Sequence, residues 1–296
     1  MDGLKNLESA FQNEGWLLKE KDLKFGPILG RGAAGITYEA DFHGKKVAIK
    51  AYSVQILKKD FGSVKIEMTL LPKLKHPNII GFVGICFRAD PVTAALVMDF
   101  APNGDLTKAL YETKVLLKKP PLRYSIAIGL AKAIQYLHKE DIIHRDIKPG
   151  NVLLSESNEC LLTDFGFSRF IDSDGRMTGE TGSYKYMAPE VVRHGPYSAK
   201  ADTYSFAIVV NEMFMNEHPY EHVLPLHAAM GVVKKNLRPT QRKVKSEQLK
   251  KIIAKCWDGE PTNRPDWDEV ITELESAAST DKTSGSLFGR LIHAAQ

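Results

Sequence analysis

The most informative part of the sequence is the stretch His144-Arg145-Asp146-Ile147-Lys148-Pro149-Gly150-Asn151. It places an acid, a cation and an amide within six residues, after a helical pattern and before the apolar run 152–154. The Asp146 carboxylate suits acceptance of a proton from a hydroxyl, and the Asn151 carbonyl oxygen suits a metal ion. Lys148, between them, suits neutralisation of charge on a transferring phosphoryl group. The stretch therefore predicts a loop for phosphoryl transfer, in which the protein mainly positions groups and stabilises charge.

Length and composition set broad limits on the fold and the partners. The chain has 296 residues, of which 43% are hydrophobic and 26% charged, as in ordinary soluble globular proteins. This length suits one large domain or two closely packed lobes. The net charge is only +4, and lysines and arginines are scattered among 36 acidic residues. This pattern disfavours nucleic acid as a partner, because nucleic-acid binders usually cluster their basic residues.

The number and spacing of the cysteines and the lengths of the apolar runs indicate the cellular compartment. Cys86, Cys160 and Cys256 are odd in number and far apart, so they predict neither a disulfide framework nor a zinc site. Residues 1–20 lack the apolar core of a signal peptide, and no run approaches the roughly eighteen apolar residues of a membrane span. We therefore expect a soluble cytoplasmic protein without a transmembrane segment.

A glycine-rich turn lies near the start of the chain, at Gly30-Arg31-Gly32-Ala33-Ala34-Gly35. The same spacing occurs in dinucleotide-binding turns, but there a helix follows the third glycine. Here residues 36–42 alternate like a strand, which excludes the dinucleotide-binding interpretation and favours a strand–turn–strand hairpin over phosphate groups. On this local evidence, a glycine-rich hairpin without a role in phosphate binding remains an alternative.

The next strand and helix supply a second pair of charges. Alternation in Val47-Ala48-Ile49-Lys50 places Val47 and Ile49 on one face of a strand and Lys50 on the other. A helix is expected over residues 63–74, with Ser63 as N-cap and Glu67 in its early turns. A Lys50–Glu67 ion pair would hold the lysine against nucleotide phosphates. Without such a partner, Lys50 would not indicate a nucleotide site, since exposed lysines are common on strands.

Further elements and motifs lie on either side of the opening stretch. A helix is predicted over residues 122–138 and short strands over 152–154 and 160–163. Asp164-Phe165-Gly166 comes eighteen residues after Asp146 (164 − 146), and Ala188-Pro189-Glu190 closes the next segment. Each piece alone is weak, but their joint order is highly specific.

Together these motifs resemble the eukaryotic protein kinase family over roughly residues 23–274. The resemblance implies an α+β, two-lobed protein-kinase fold, with a small β-rich lobe carrying one regulatory helix and a larger helical lobe. Its domains would be an N-terminal extension at 1–22, a kinase domain at 23–277 and a C-terminal tail at 278–296. Within the kinase domain, the first lobe would span 23–98, the hinge 99–102 and the second lobe 103–277. For the extension a tail is favoured over a docked helix, and for the C-terminal tail disorder is favoured over a helix.

The resemblance also implies site residues, with ATP as nucleotide and Mg²⁺, or alternatively Mn²⁺, as metal ion. Asn151 and Asp164 would hold the metal. The catalytic residues would be Asp146, Lys148, Asn151, Lys50 and Glu67. The nucleotide would contact Gly30, Arg31, Gly32, Ala33, Gly35, Thr37, Ala48, Lys50, Met98, Asp99, Ala101, Asp105, Leu153 and Asp164. Thr37 stands where the family usually has valine, so adenine packing is expected to be looser.

The resemblance narrows the hydroxyl that would be phosphorylated. Lys148 two residues after Asp146, and Ser183 five residues before Ala188, are typical of serine/threonine kinases. Other parts of the second lobe look like tyrosine kinases, and this mixture resembles the tyrosine-kinase-like group, whose members generally phosphorylate serine and threonine. A dual-specificity or tyrosine kinase and a nucleotide-binding scaffold without activity remain as alternatives.

The resemblance also implies supporting contacts and regulation. Arg264 would pair with Glu190, and Asp202 would hold the backbone of the catalytic loop. Arg145 implies a cationic pocket for a phosphorylated activation segment. An upstream kinase or autophosphorylation would modify the candidate sites Thr178, Thr181 and Ser183.

Overall fold

The chain is described by a computed structural model that covers residues 2–32, 35–89, 92–119, 121–170 and 183–293. It divides into two compact units. The first comprises Met1–Pro102 and Thr163–Ser168, and the second comprises Asn103–Leu162 and Arg169–Gln296. The first unit is built mainly on a β-sheet and the second mainly on helices, which confirms the α+β class.

The first unit is organised around a five-stranded antiparallel sheet with the strand order β1-β2-β3-β5-β4. Its strands are β1 (Leu23–Gly32), β2 (Gly35–Phe42), β3 (Lys45–Tyr52), β4 (Phe82–Ala89) and β5 (Val92–Asp99). Valine, isoleucine and aromatic residues favour these extended segments, because their branched or flat side chains pack well on a pleated surface. A cluster of buried apolar residues on the sheet includes Val47, Ile49 and Val97. A strand follows Gly35, as the sequence predicts.

One long and one short helix follow the third strand, with bounds that differ from expectation. Helix α2 spans Val54–Lys59 and helix α3 spans Phe61–Leu70. The prediction that Ser63 caps the longer helix is wrong, because Asp60 accepts the hydrogen bond of the Ser63 amide at 3.2 Å. After Leu70 the chain tightens into a 3-10 turn that contains Pro72, since proline cannot continue the helical ladder.

The N-terminal segment is part of the first unit, so the preference for a tail is wrong. Helix α1 spans Asp2–Asn13, and its Phe11 side chain is buried and stacked 6.2 Å from the Phe87 ring of β4. Beyond this helix, the Leu18 amide donates to the Ile85 carbonyl at 2.8 Å, and the Ile85 amide donates to the Trp16 carbonyl at 2.9 Å. The segment thereby pairs with β4, which is an edge strand of the sheet.

Replacement of Phe11 tests whether this segment contributes to stability. We expect Phe11→Ala to lower the free energy of unfolding by about 3 kcal/mol, because it removes a buried ring and leaves a cavity. Phe25→Ala is the matched control, since the Phe25 side chain is 50% exposed. Urea unfolding measures both variants. Equal, small losses for the two would contradict the docked arrangement.

The second unit is built from helices around one buried central helix. Its helices are α4 (Val115–Lys118), α5 (Pro121–Lys139), α6 (Pro189–Val192), α7 (Lys200–Met215), α8 (Pro225–Lys235), α9 (Glu247–Cys256) and α10 (Trp267–His293). Helix α7 is buried along almost its whole length, and its buried residues include the carboxylates Asp202 and Glu212 as well as apolar side chains. Two small strand pairs complete the unit: β6 (Ile142–Ile143) with β9 (Arg169–Phe170), and β7 (Val152–Leu154) with β8 (Cys160–Leu162).

The C-terminal segment continues the last helix rather than forming a disordered tail, so that expectation is wrong. Helix α10 runs to His293, and the Asp281 carboxylate accepts a 2.5 Å hydrogen bond from the Tyr124 hydroxyl of α5. Within the described part of the chain, no helix has the length and apolar character needed to cross a membrane.

Candidate active site

The first unit buries an ion pair between a strand and a helix. Lys50 on β3 places its Nζ atom 2.8 Å from both carboxylate oxygens of Glu67 on α3. Lys50 lies on the opposite face from Val47 and Ile49, as alternation predicts. It is nevertheless buried, with a side chain 10% exposed, because the Glu67 helix covers that face. The predicted pair is therefore present.

Two further groups complete this cluster. The Tyr52 hydroxyl donates to Glu67 Oε2 at 2.8 Å, and Asp164 Oδ1 lies 3.0 Å from Lys50 Nζ. Asp164 has a left-handed backbone, with φ of 67°, and the next residue, Phe165, is fully buried. Tyr52 was missed in the sequence, although strand alternation contained the signal: it is two residues after Lys50 and so shares its face.

The charges in this cluster depend on one another. Burial alone would lower the pKa of Lys50, but the carboxylates of Asp164 and Glu67 outweigh it and raise that pKa. Burial raises the pKa of Glu67, Lys50 opposes this shift, and Asp164 adds to it. Burial also raises the pKa of Tyr52, and the neighbouring Glu67 carboxylate raises it further. Lys50 is therefore held protonated, and Tyr52 is held as a hydrogen-bond donor to Glu67.

The glycine-rich turn joins β1 and β2, with its middle residues, Ala33 among them, outside the described part of the chain. Gly35 must be glycine, because its φ is 152° and an added Cβ would lie 2.6 Å from the Ala51 carbonyl oxygen. At Gly30 and Gly32, by contrast, an added Cβ meets nothing within 4 Å. Arg31 is exposed between them. The described atoms therefore explain the third glycine but not the first two.

The predicted adenine-binding residues lie on β2, β3 and β5 and just beyond β5. Thr37 pairs with Lys50 across β2 and β3, and Ala48 pairs with Met98 across β3 and β5. Ala48 and Met98 are both buried. The Asp99 amide already donates to the Gly81 carbonyl at 2.9 Å, so this amide is not available to a ligand. Ala101, just beyond β5, is half-buried.

The second unit holds the catalytic-loop stretch, and its Asp146 carboxylate is contacted on both oxygens. Ser183 Oγ donates to Oδ1 at 2.9 Å. Asn151 Nδ2 donates to Oδ2 at 2.8 Å, and Lys148 Nζ lies 2.7 Å from the same oxygen. Lys148 Nζ also reaches Ser183 Oγ at 3.4 Å. Ser183 therefore contacts both Asp146 and Lys148.

Hydrogen bonding orients the Asn151 side chain. Its Nδ2 atom donates to both the backbone carbonyl and Oδ2 of Asp146, each at 2.8 Å. The carbonyl oxygen is therefore the atom left to bind a cation, which suits a hard ion such as Mg²⁺. Among the described residues, no group of three or more His, Cys, Asp or Glu side chains is placed to hold a metal.

The backbone of the 144–151 stretch is held by Asp202 on α7. Its carboxylate accepts from the amides of His144 at 2.8 Å and Arg145 at 2.9 Å, and thereby fixes a left-handed Arg145 with φ of 72°. His138 Nε2 lies 3.0 Å from the same carboxylate. Trp267 donates to His138 Nδ1 at 2.8 Å, and since an indole only donates, the His138 proton is on Nε2. The predicted role of Asp202 is confirmed.

The pKa of Asp202 makes this support pH-dependent. Burial would raise that pKa, but hydrogen bonds from His138 and the Arg145 amide outweigh it and lower the pKa below its ordinary value. The carboxylate therefore stabilises the fold above about pH 4, and this contribution is lost as the pH falls through the folded-state pKa.

Substitution of Asp202 tests this pH dependence. At pH 7, Asp202→Asn is expected to lower the free energy of unfolding by about 3 kcal/mol, because an amide cannot accept all three hydrogen bonds. The gap between the variant and the unsubstituted chain should narrow below about pH 4. Unfolding in urea at a series of pH values measures it, and a gap of constant size would contradict the assignment.

The segment after Ser183 is fixed by a buried carboxylate on α7. Glu212 is 1% exposed and accepts hydroxyl hydrogen bonds from Tyr186 at 2.8 Å and Tyr111 at 2.6 Å. The Tyr186 amide in turn donates to the Ser183 carbonyl at 2.9 Å. In the sequence, Glu212 stands out only as a charged residue within an apolar helical run. A carboxylate in a helix otherwise buried throughout was the available signal for such a contact.

A second ion pair anchors the end of this segment. Arg264 donates through two nitrogens to the two oxygens of Glu190, at 2.7 and 2.8 Å, and its side chain is fully buried. Two more Arg264 hydrogen bonds reach the carbonyls of Asp258 and Lys200. The predicted Arg264–Glu190 pair is therefore confirmed.

The remaining predicted residues fall into two groups. Asp105 and Leu153 form an isolated β-bridge in the second unit, where the Asp105 carboxylate accepts from the Lys108 amide at 2.9 Å. The candidate phosphorylation sites Thr178 and Thr181 lie outside the described residues. Within single units, the structure thus brings together Lys50, Glu67 and Asp164, and separately Asp146, Lys148, Asn151 and Ser183.

Comparison with known proteins places these motifs in a family. Residues 23–274 match the family model described as protein tyrosine and serine/threonine kinase. The chain is 38% identical over 264 residues to serine/threonine-protein kinase STY46 of Arabidopsis thaliana, covering 89% of this chain and 45% of that protein. It is 36% identical to serine/threonine-protein kinase VIK of the same plant, covering 90% and 63%. It is 33% identical to human serine/threonine-protein kinase TNNI3K, covering 91% and 34%. The chain therefore spans between a third and two thirds of these relatives.

Proposed function

Because the chain belongs to the protein tyrosine and serine/threonine kinase family, in its tyrosine-kinase-like group, we propose that it transfers the γ-phosphate of ATP to serine and threonine hydroxyls of proteins. The observation that carries the proposal is the Asp146 carboxylate, held between Lys148, Asn151 and Ser183. Such an arrangement positions an acceptor for a hydroxyl proton beside a cation, as phosphoryl transfer requires.

Asp146 and Lys148 would act on the acceptor and on the transferred group. Asp146 orients the substrate hydroxyl and accepts its proton as the new O–P bond forms. Lys148, whose ammonium lies 2.7 Å from that carboxylate, stabilises the negative charge on the phosphoryl oxygens. Asn151 holds the Asp146 carboxylate in place through its Nδ2 donor.

The first unit would bind the nucleotide. Lys50, held protonated by Glu67 and Asp164, offers a cation to the phosphates. Among the described residues, Gly30 and Gly32 have no contact that requires glycine, and this supports a requirement set by a close ligand. We assign the adenine contacts to Thr37, Ala48 and Met98 on the sheet, to the 99–101 backbone and to Leu153.

A divalent metal ion would be held by the Asp164 carboxylate and the Asn151 carbonyl oxygen. Both are hard oxygen donors, and two such ligands leave the remaining positions to phosphate oxygens and water, which favours Mg²⁺ and admits Mn²⁺. When bound, the metal neutralises charge on the phosphates.

The hydroxyl specificity is tested with three peptides that differ only in a serine, threonine or tyrosine acceptor. The Lys148–Ser183 contact supports serine and threonine, so we expect their kcat/KM to exceed that of the tyrosine peptide at least about tenfold. Equal rates would indicate dual specificity, and a preference for the tyrosine peptide would overturn the assignment.

Arg145 supports regulation by phosphorylation. Its Nε and Nη1 atoms are buried without a hydrogen-bond partner in the described part of the chain, and its guanidinium lies 5.1 Å from the Tyr197 ring. Burial lowers the pKa of Arg145, and the nearby Arg169 lowers it further. A phosphate group would supply the missing acceptor and the missing negative charge.

We therefore expect incubation with ATP and Mg²⁺ to place phosphate on Thr178 or Thr181, rather than on Ser183, which already bonds to Asp146. Mass spectrometry of the incubated chain identifies the modified residue. A fully active chain that stays unmodified would contradict the prediction.

The cellular setting proposed for this activity is cytoplasmic signalling.

A further inference from the structure

The second unit contains a cavity of about 480 Å³ that the proposed function does not use. It is formed by α5, the C-terminal end of α7, the segment that precedes α9, and α10. None of its lining residues belongs to the catalytic loop or to the segment between Ser183 and Glu190. Its volume lies within the range of pockets that enclose small molecules.

One part of the cavity wall is apolar. Ile128, Phe214 and Ala278 line it, and all three are only partly buried by the rest of the protein. The Phe214 ring packs edge-on against the Tyr124 ring at 4.8 Å, which fixes its orientation. Such a surface favours a hydrocarbon or aromatic body as the occupant.

Another part of the wall carries positive charge. Arg123, Lys243 and Lys245 line the cavity. Lys243 pairs with Glu217 at 2.5 Å, whereas no carboxylate pairs with Arg123 or Lys245 among the residues described. The described lining has three cations and one carboxylate, Asp281, which gives a formal charge of +2 (3 − 1). Burial lowers the pKa of Arg123, as expected for a partly desolvated cation without an anionic partner.

Two helix N-termini add to this potential. Pro121 is the first residue of α5, and Ser246 is the N-cap of α9, and both line the cavity. The N-terminal end of a helix carries a partial positive charge and favours anions. The cations and the helix N-termini therefore both favour a negatively charged group, and they lie beside the apolar part of the cavity wall.

We propose that this cavity binds an amphipathic monoanion, a carboxylate carried on an extended apolar body such as a hydrocarbon chain. The apolar body contacts Ile128, Phe214 and Ala278, and the carboxylate lies near Arg123 and Lys245. An inorganic anion would leave the apolar wall uncovered, and a neutral apolar molecule would leave Arg123 and Lys245 without an anionic partner.

Calorimetric titration with three probes tests the proposal: dodecanoate and dodecanol, both below the concentrations at which they aggregate, and acetate. Dodecanoate should bind at least about tenfold more tightly than dodecanol, because only the former meets the unpaired cations. Acetate should give no saturable heat, since it lacks the apolar body. Equal binding of dodecanoate and dodecanol, or saturable binding of acetate, would overturn the assignment of the ligand class.

Two variants locate the binding. Lys245→Gln should weaken dodecanoate binding about three- to tenfold, whereas Lys234→Gln, an exposed lysine on α8 outside the cavity, should not change it. Ala278→Trp should abolish binding by filling the cavity. If the tryptophan variant fails to fold, the surface variant Lys245→Gln still decides the outcome. Unchanged binding in Lys245→Gln would overturn the proposal, and neither result bears on phosphate transfer.

Discussion

Asp146→Asn is expected to lower kcat for peptide phosphorylation by about 10²- to 10⁴-fold, the range that a positioned proton acceptor supplies. The amide has the same shape as the carboxylate, but it cannot accept the proton of the substrate hydroxyl. It also carries no negative charge to hold Lys148, now 2.7 Å from Asp146 Oδ2. The affinity for ATP should change little, because the nucleotide contacts proposed for the first unit do not involve Asp146.

The control for this variant is Asp141→Asn. Asp141 is exposed five residues earlier, and its φ of 56° is a left-handed conformation that asparagine also tolerates. The control should retain full activity and stability. A loss of ATP affinity in Asp146→Asn equal to its loss of kcat would contradict the assigned role.

Arg264→Ala is expected to produce the largest loss of stability, about 3–5 kcal/mol in the free energy of unfolding. The substitution removes both hydrogen bonds to the Glu190 carboxylate and leaves that buried carboxylate without its cation. It also leaves the carbonyls of Asp258 and Lys200 without a donor. Urea unfolding measures the loss directly.

Two further variants separate the cause of this loss. Arg242→Ala removes a more exposed pair, in which one Arg242 nitrogen contacts both Glu217 oxygens, and should have little effect, because solvent screens exposed charges. The double variant Glu190→Leu with Arg264→Met should recover part of the stability, since it removes the unpaired charge and fills the space with apolar groups. A double variant less stable than Arg264→Ala would contradict this explanation.

The contacts that the sequence predicted are those encoded by motifs with fixed spacing. Asp146 and Asn151 are close in the chain, so one loop sets their geometry. Lys50 and Glu67 lie on a strand and the helix that follows it, and strand alternation and helix periodicity limit how they can face each other. These local rules were sufficient for the Lys50–Glu67 pair, whereas the Arg264–Glu190 pair followed only from the resemblance to the kinase family.

Most of the contacts that the sequence did not predict depend on packing between distant segments. The Tyr186 and Tyr111 hydroxyls meet on Glu212 from separate parts of the chain, and no local pattern encodes such a meeting. Helix α1 was expected to be a tail because a short isolated helix is marginal in water, and it is stabilised by its contact with β4. The Asp60 cap was missed because Asp60 and Ser63 both suit the start of a helix.

The most direct test of the proposed activity measures ATP binding and transfer of labelled γ-phosphate on the same sample, with a generic basic protein as acceptor. We expect ATP to bind in the presence of Mg²⁺ and label to appear on serine or threonine of the acceptor. Label should fall to background in the Asp146→Asn sample, which still binds ATP. Binding of ATP by the unsubstituted chain without any transfer, even after phosphorylation of its activation segment, would contradict the account and indicate a nucleotide-binding scaffold.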